Sequence, residues 1–74
     1  MYTVILDDGL EYLVAETLEI DGILYTLFSQ LENDMNYCFR KTTIKDGEKY
    51  YTGLDDRDEF NKVLYAFNNK LNLN

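Results

Sequence analysis

Seventy-four residues, 46 % hydrophobic and 15 % aromatic with a net charge of −7, make one small domain, too apolar for a disordered tail and too short in its apolar runs to cross a bilayer. The single cysteine, Cys38, allows no internal disulfide, and the absence of histidine removes Cys-His and Ser-His-Asp nucleophile systems and the usual zinc ligand set. No glycine pattern resembles a P-loop or a dinucleotide fingerprint, so neither a nucleotide cofactor nor any other is expected.

The first half reads as strands because β-branched and aromatic residues dominate, proline is absent, and turn residues recur at short intervals. Met1 leads directly into "YTVILDDG" with no basic segment or small-residue cleavage site, so a cytoplasmic location is expected. Residues 2–6 form the first predicted strand. After Asp8-Gly9, residues 10–20 alternate with period two. Tyr12, Val14, Leu18 and Ile20 then share one face with Glu16, while Glu11, Leu13, Ala15, Thr17 and Glu19 share the other. Asp21-Gly22 separates this run from a strand over residues 23–30, and Asp-Gly between two such runs signals a hairpin, because both turn positions require positive φ.

The polar stretch "LENDMN", residues 31–36, reads as the longest loop of the sheet. A fourth strand covers residues 37–44, with Phe39 directed to the core. Asp46-Gly47 marks another reversal into a short strand over 49–53, where adjacent Tyr50 and Tyr51 must face opposite sides, one of them inward. Beyond Leu54 the period changes. Phe60, Val63, Leu64, Phe67 and Leu71 recur at helical spacing, which predicts a helix over 56–71 of roughly 24 Å. Asp55 or Asp56 can cap it, Asp56 with Glu59 has capping-box spacing, and Asp58 with Lys62 is a favourable i to i+4 pair.

These elements give an α+β domain over residues 1–74, a five-stranded antiparallel sheet followed by one helix on one face. The helix covers only one face. Leu13, either Leu27 or Phe28, and one of Tyr50 and Tyr51 are left on the other, so either the sheet curls towards a barrel or a partner, including a second copy, covers the surplus.

Charge is distributed unevenly along the chain. Residues 1–39 carry eight acids (Asp7, Asp8, Glu11, Glu16, Glu19, Asp21, Glu32 and Asp34) and no lysine or arginine, whereas residues 40–74 carry seven bases and six acids. Such a front half repels phosphates, which argues against direct nucleic-acid binding. "YCFRK" sets aromatics beside bases but lacks the RNP pattern of single-strand RNA binders. The three Asp-Gly steps offer too few ligands for calcium and read as reversals. The acids of "LDDRDEF" suit a helix N-terminus, with a weak magnesium site as the alternative. Cys38, between Tyr37 and Phe39 in a strand, reads as a small buried hydrophobe, with a thiolate favoured by Arg40 and Lys41 as the sharper alternative.

The stretches "DDGLEY", "ETLEIDGILY", "YCFRK" and "DGEKYYTGLDDRDEF", followed by the "V...F" of the helix, resemble in order and spacing the YrzB-like family of small acidic proteins of Gram-positive bacteria, a domain of unknown function. The resemblance runs from Asp7 to Phe67 and departs from the family in the loop at residues 31–36 and at Cys38. It implies a cytoplasmic bacterial protein and assigns no functional residue.

The expected function is a non-enzymatic interaction or regulatory module whose acidic front engages a protein with a basic surface, through Glu11, Leu13, Glu16, Glu19 and Asp21. The alternatives are a nucleic-acid mimic that blocks a DNA- or RNA-binding protein and, less favoured, a metal-dependent enzyme using Asp55, Asp56 and Asp58. No membrane partner is expected, and the chain is expected as a monomer or as a homodimer through the uncovered sheet face.

Overall fold

Two Asp-Gly pairs set the geometry of the sheet. In a computed structural model that describes residues 3–33 and 36–71, Asp21 and Asp46 adopt φ of 53°, and Gly22 and Gly47 each adopt φ of 81°. These are the paired positive angles that a two-residue hairpin demands. The hairpins join β2 (Glu11–Ile20) to β3 (Ile23–Gln30) and β4 (Tyr37–Lys45) to β5 (Glu48–Thr52), with β1 (Thr3–Ile5) before them and α1 (Arg57–Leu71) after. All neighbours are antiparallel in the order β1-β2-β3-β4-β5. The expected elements are all present, with ends within two residues of their expected places. Tyr2 of the first strand, Asp34 and Met35 of the long loop, and the side chain of Leu71 lie outside the described residues.

Strand β2 departs from simple alternation. Val14 pairs with Phe28 but Glu16 pairs with Leu27, so a bulge at Ala15 shifts the register by one residue. Because strand side chains alternate, one extra residue sends everything after it to the opposite face. Tyr12 and Val14 therefore share the face of Phe28, while Leu18 and Ile20 share the face of Tyr25 and Leu27. The expectation that all four line one face is corrected by this bulge. Glu16 moves with them, joining Glu11 and Leu13 on the face that the helix packs on.

The bulge divides the core in two. On the helix side, Tyr25, Leu27 and Phe39 bury against Val63 and Phe67, with Leu18, Ile20, Leu54 and Leu64 around them. Phe39 also meets the ring of Phe60 at 5.6 Å, although Phe60 remains 41 % exposed. On the other face, Leu6, Tyr12 and Phe28 bury with Val4, Val14, Cys38 and Tyr51. Phe28 meets Tyr51 edge-on at 5.0 Å and Tyr12 at 6.3 Å. Val4 on β1 and Tyr51 on β5 are the two edges of the sheet, and both reach the same cluster. The sheet is thus a curled half-barrel that fills its own concave face.

This curl answers which residues the helix leaves over. Phe28 and Tyr51 go to the concave face, Leu27 lies under the helix, and Tyr50 stays exposed. Leu13 was expected opposite the helix and is instead on the helix-side face, because it precedes the bulge. Polar groups inside are matched: Thr26 and Thr42, both buried, share a hydroxyl hydrogen bond of 2.6 Å, and no buried side-chain polar atom among the described residues lacks a partner.

The helix begins as its sequence requires, with one shift. The Glu59 N–H donates to Asp56 Oδ1 at 2.8 Å, which makes Asp56 the cap. Glu59 reaches back to the N–H of Asp55 at 2.6 Å rather than to that of Asp56, so the reciprocal box closes one residue earlier. Lys62 bonds Asp21 of the β2–β3 turn at 3.2 Å, not Asp58. That pair ties the helix to the sheet instead of stiffening the helix surface.

Candidate interaction surface

The helix covers only part of the face it packs on. Across the strands this face is built in rows, because residues opposite each other point the same way. One row is Glu16, Leu27 and Phe39, and its last two members lie beneath the helix. The next row outward is Thr3, Leu13, Ser29 and Tyr37. The outermost is Ile5 opposite Glu11, extended by Leu31, whose N–H donates to the Glu11 carbonyl at 3.0 Å.

These two outer rows are rich in exposed apolar surface. Ile5 is 72 %, Tyr37 62 %, Leu31 48 % and the nearby Leu10 42 % exposed, and neither Ile5 nor Leu13 joins either core cluster. Ile5, Leu10 and Leu31 line a cleft of about 270 Å³, together with Glu11, Glu32, Gly9 and Gln30. Its lining includes two carboxylates and no base. Single exposed aliphatics are ordinary on a protein surface, but several side by side with a charged border form the kind of patch that interaction sites use.

The turn before the cleft is well held. Asp8 accepts the Leu10 N–H at 2.9 Å and the Tyr12 hydroxyl at 2.6 Å. The Tyr12 bond, then the Leu10 bond, keep the Asp8 carboxyl below the usual carboxylate range. The same bond to Asp8, aided by burial, pushes the Tyr12 phenol up to about 12.

The front-half acids divide by what they touch. Asp7 lies 3.7 Å from Arg40 and Asp21 lies 3.2 Å from Lys62, so later bases neutralise these two in space. Lys41 is held by Asp55 at 2.8 Å and Glu59 at 3.4 Å. No described ion pair reaches Glu11, Glu16, Glu19 or Glu32. Of the five residues expected to bind a partner, Glu11, Leu13 and Glu16 come together on the helix-side face, Glu19 pairs opposite Leu24 on the other, and Asp21 sits in a hairpin turn bound to the helix. Ile5, Leu10, Leu31, Glu32 and Tyr37 complete the surface and were not anticipated. Leu31 carried no strand signal, lying in a polar stretch, and only its cross-strand bond to Glu11 brings it in.

The remaining candidates have structural occupations. In "LDDRDEF", Asp56 caps the helix, Asp55 bonds Lys41, and Glu59 accepts the hydroxyl of buried Tyr25 at 2.6 Å. Among the described residues no three Asp, Glu or Cys side chains gather as a cation would need. Cys38 is half-buried, and burial pushes its thiol up against the weaker opposing pull of Arg40. A thiol raised in this way is a poor nucleophile at neutral pH. No helix among the described residues is long and apolar enough to cross a membrane.

Comparison with protein-family models, with curated proteins and with solved structures found no match to this chain.

Proposed function

We propose that this chain is a non-enzymatic interaction module that docks a protein with a basic surface onto the uncovered end of its helix-side face. The observation that carries this reading is the composition of the uncovered region: Ile5, Leu13, Leu31 and Tyr37 stand beside Glu11, Glu16 and Glu32, and no lysine or arginine occupies its rows. Apolar contacts there supply binding energy, while the unpaired carboxylates steer and select the encounter. The half-buried free thiol suits a reducing compartment, the cytoplasm.

The bulge provides an internal control. Replacing Glu11 and Glu16 by Lys alters the docking face, whereas replacing Glu19 by Lys changes charge on the opposite one. A partner captured from the source cell and purified should associate more slowly with the first variant, with a weaker dependence on salt, and about normally with the second. If the Glu19 variant slows association by about half as much as the double variant, in proportion to its charge change of +2 against +4, only net charge matters and the docking face is misassigned. If DNA displaces the partner, the module instead imitates a nucleic acid.

A further inference from the structure

We infer that the cleft between Ile5, Leu10 and Leu31 is a socket for one large apolar side chain of a partner segment, whose neighbouring lysines or arginines meet Glu11 and Glu32. This rests on the docking reading above and names the chemistry that the docking face takes.

Three features specify the occupant. A volume of about 270 Å³ exceeds the roughly 150 Å³ of a cavity that admits benzene, so a single phenylalanine or leucine side chain fits. The walls are set before any partner arrives. Leu6 donates its N–H to the Leu10 carbonyl at 3.1 Å, Gly9 donates to the Leu6 carbonyl at 2.9 Å, and Asp8 holds the Leu10 N–H. Lastly, Glu11 is oriented by the Thr3 hydroxyl, which donates to Oε2 at 2.9 Å, and its other oxygen makes no described bond. Little ordering remains to be done on binding.

The charge selects against other occupants. A second copy would bring a −7 chain and oppose Glu11 and Glu32 with carboxylates of its own kind. Phosphate backbones and anionic lipid surfaces are repelled in the same way. A cationic peptide segment is the occupant that both the walls and the rim favour.

The test uses the intact chain, labelled for amide correlation spectra, and three blocked peptides: Gly-Lys-Phe-Lys-Gly, the same with Ala for Phe, and the same with Glu for both Lys. The Phe peptide should shift the amides of Gly9, Leu10, Glu11 and Leu31 saturably, and the Ala peptide should bind roughly tenfold more weakly. The Glu peptide should not bind. Leu31→Ser should lose the Phe peptide with an unchanged circular dichroism spectrum, and Leu10→Ala serves if the first variant misfolds. Equal binding of the Phe and Ala peptides overturns the socket while leaving the acidic face in place. Equal binding of the Glu peptide overturns the role of Glu11 and Glu32. Concentration-dependent shifts at the same amides without peptide make a second copy the occupant and overturn the inference. If no lysine peptide perturbs any residue of the face, the docking reading falls as well.

Discussion

Phe28→Ala tests the closed concave face most directly. Phe28 is fully buried, although α1 packs on the other side of the sheet. Its ring is contacted edge-on by Tyr51 at 5.0 Å and 88° and by Tyr12 at 6.3 Å and 72°. Truncating a buried Phe to Ala costs about 3–5 kcal/mol, and each aromatic contact accounts for about 0.5–1.5 kcal/mol of what is lost. At roughly 0.05–0.15 kcal/mol per residue, a domain of this length is stable by about 4–11 kcal/mol, so the variant loses about a third or more of its stability and, at the low end of that range, does not fold. Urea unfolding followed by circular dichroism reads the change. With a slope of about 1 kcal/mol per molar urea, the midpoint should fall by about 3 M or more, or folding should be absent. Phe28→Leu, which keeps most of the apolar volume, should lose about 1–2 kcal/mol and give a measurable transition where Ala does not. Phe67→Ala, on the buried face of the helix, should cost as much as Phe28→Ala, because Phe67 is 1 % exposed. Ile5→Ser, at 72 % exposure, should stay within about 0.5 kcal/mol. A loss below about 1 kcal/mol for Phe28→Ala would mean that the sheet is open and that its second core does not exist.

Gly22→Ala should cost about 1–2 kcal/mol in the same assay, because φ is 81° with no atom within 4 Å of an added Cβ, which leaves backbone strain as the only penalty. Asn at that position should cost less, since it tolerates left-handed φ. Tyr12 and Tyr25 both have phenols pushed up to about 12, Tyr12 first by its bond to Asp8 and Tyr25 first by burial. Since the folded values exceed the unfolded value of 10.0, their stabilisation is whole below pH 10 and fades as pH rises towards 12. Spectrophotometric titration should show two late phenols ionising together with unfolding, and a single transition near 10 for all tyrosines would contradict the structure. Asp8 and Glu59 act in the opposite sense: each is lowered first by a tyrosine hydroxyl, Tyr12 and Tyr25 respectively. Their contribution is present above the unfolded values of 3.8 and 4.5 and declines as pH falls through the lowered values, so Tyr25→Phe, which removes the hydroxyl bonded to Glu59, should be less stable than the parent at neutral pH and lose less on acidification, as read by urea unfolding at neutral and acid pH.

How much was legible depends on how far apart the determining atoms lie along the chain. Asp21-Gly22 and Asp46-Gly47 specified their hairpins because the two residues concerned supply the required φ themselves. The helix was equally readable, since its cap and its apolar repeat lie within a few turns. The acidic front half was visible as composition, but its surface was not. Asp7 and Asp21 find bases distant in sequence, at Arg40 and Lys62, and only folding shows that Glu11, Glu16 and Glu32 do not.

Local chemistry in the sequence thus determined the number, order and kind of elements, because turn angles, caps and alternation each need only neighbouring residues. Tertiary structure decided which face each β2 side chain occupies, where the sheet ends meet and which carboxylates stay unpaired. The physical reason lies at Ala15: one additional residue inverts the alternation without marking itself in the sequence, since it arises from pairing against a strand that must also fit Phe28 into one core and Leu27 into the other.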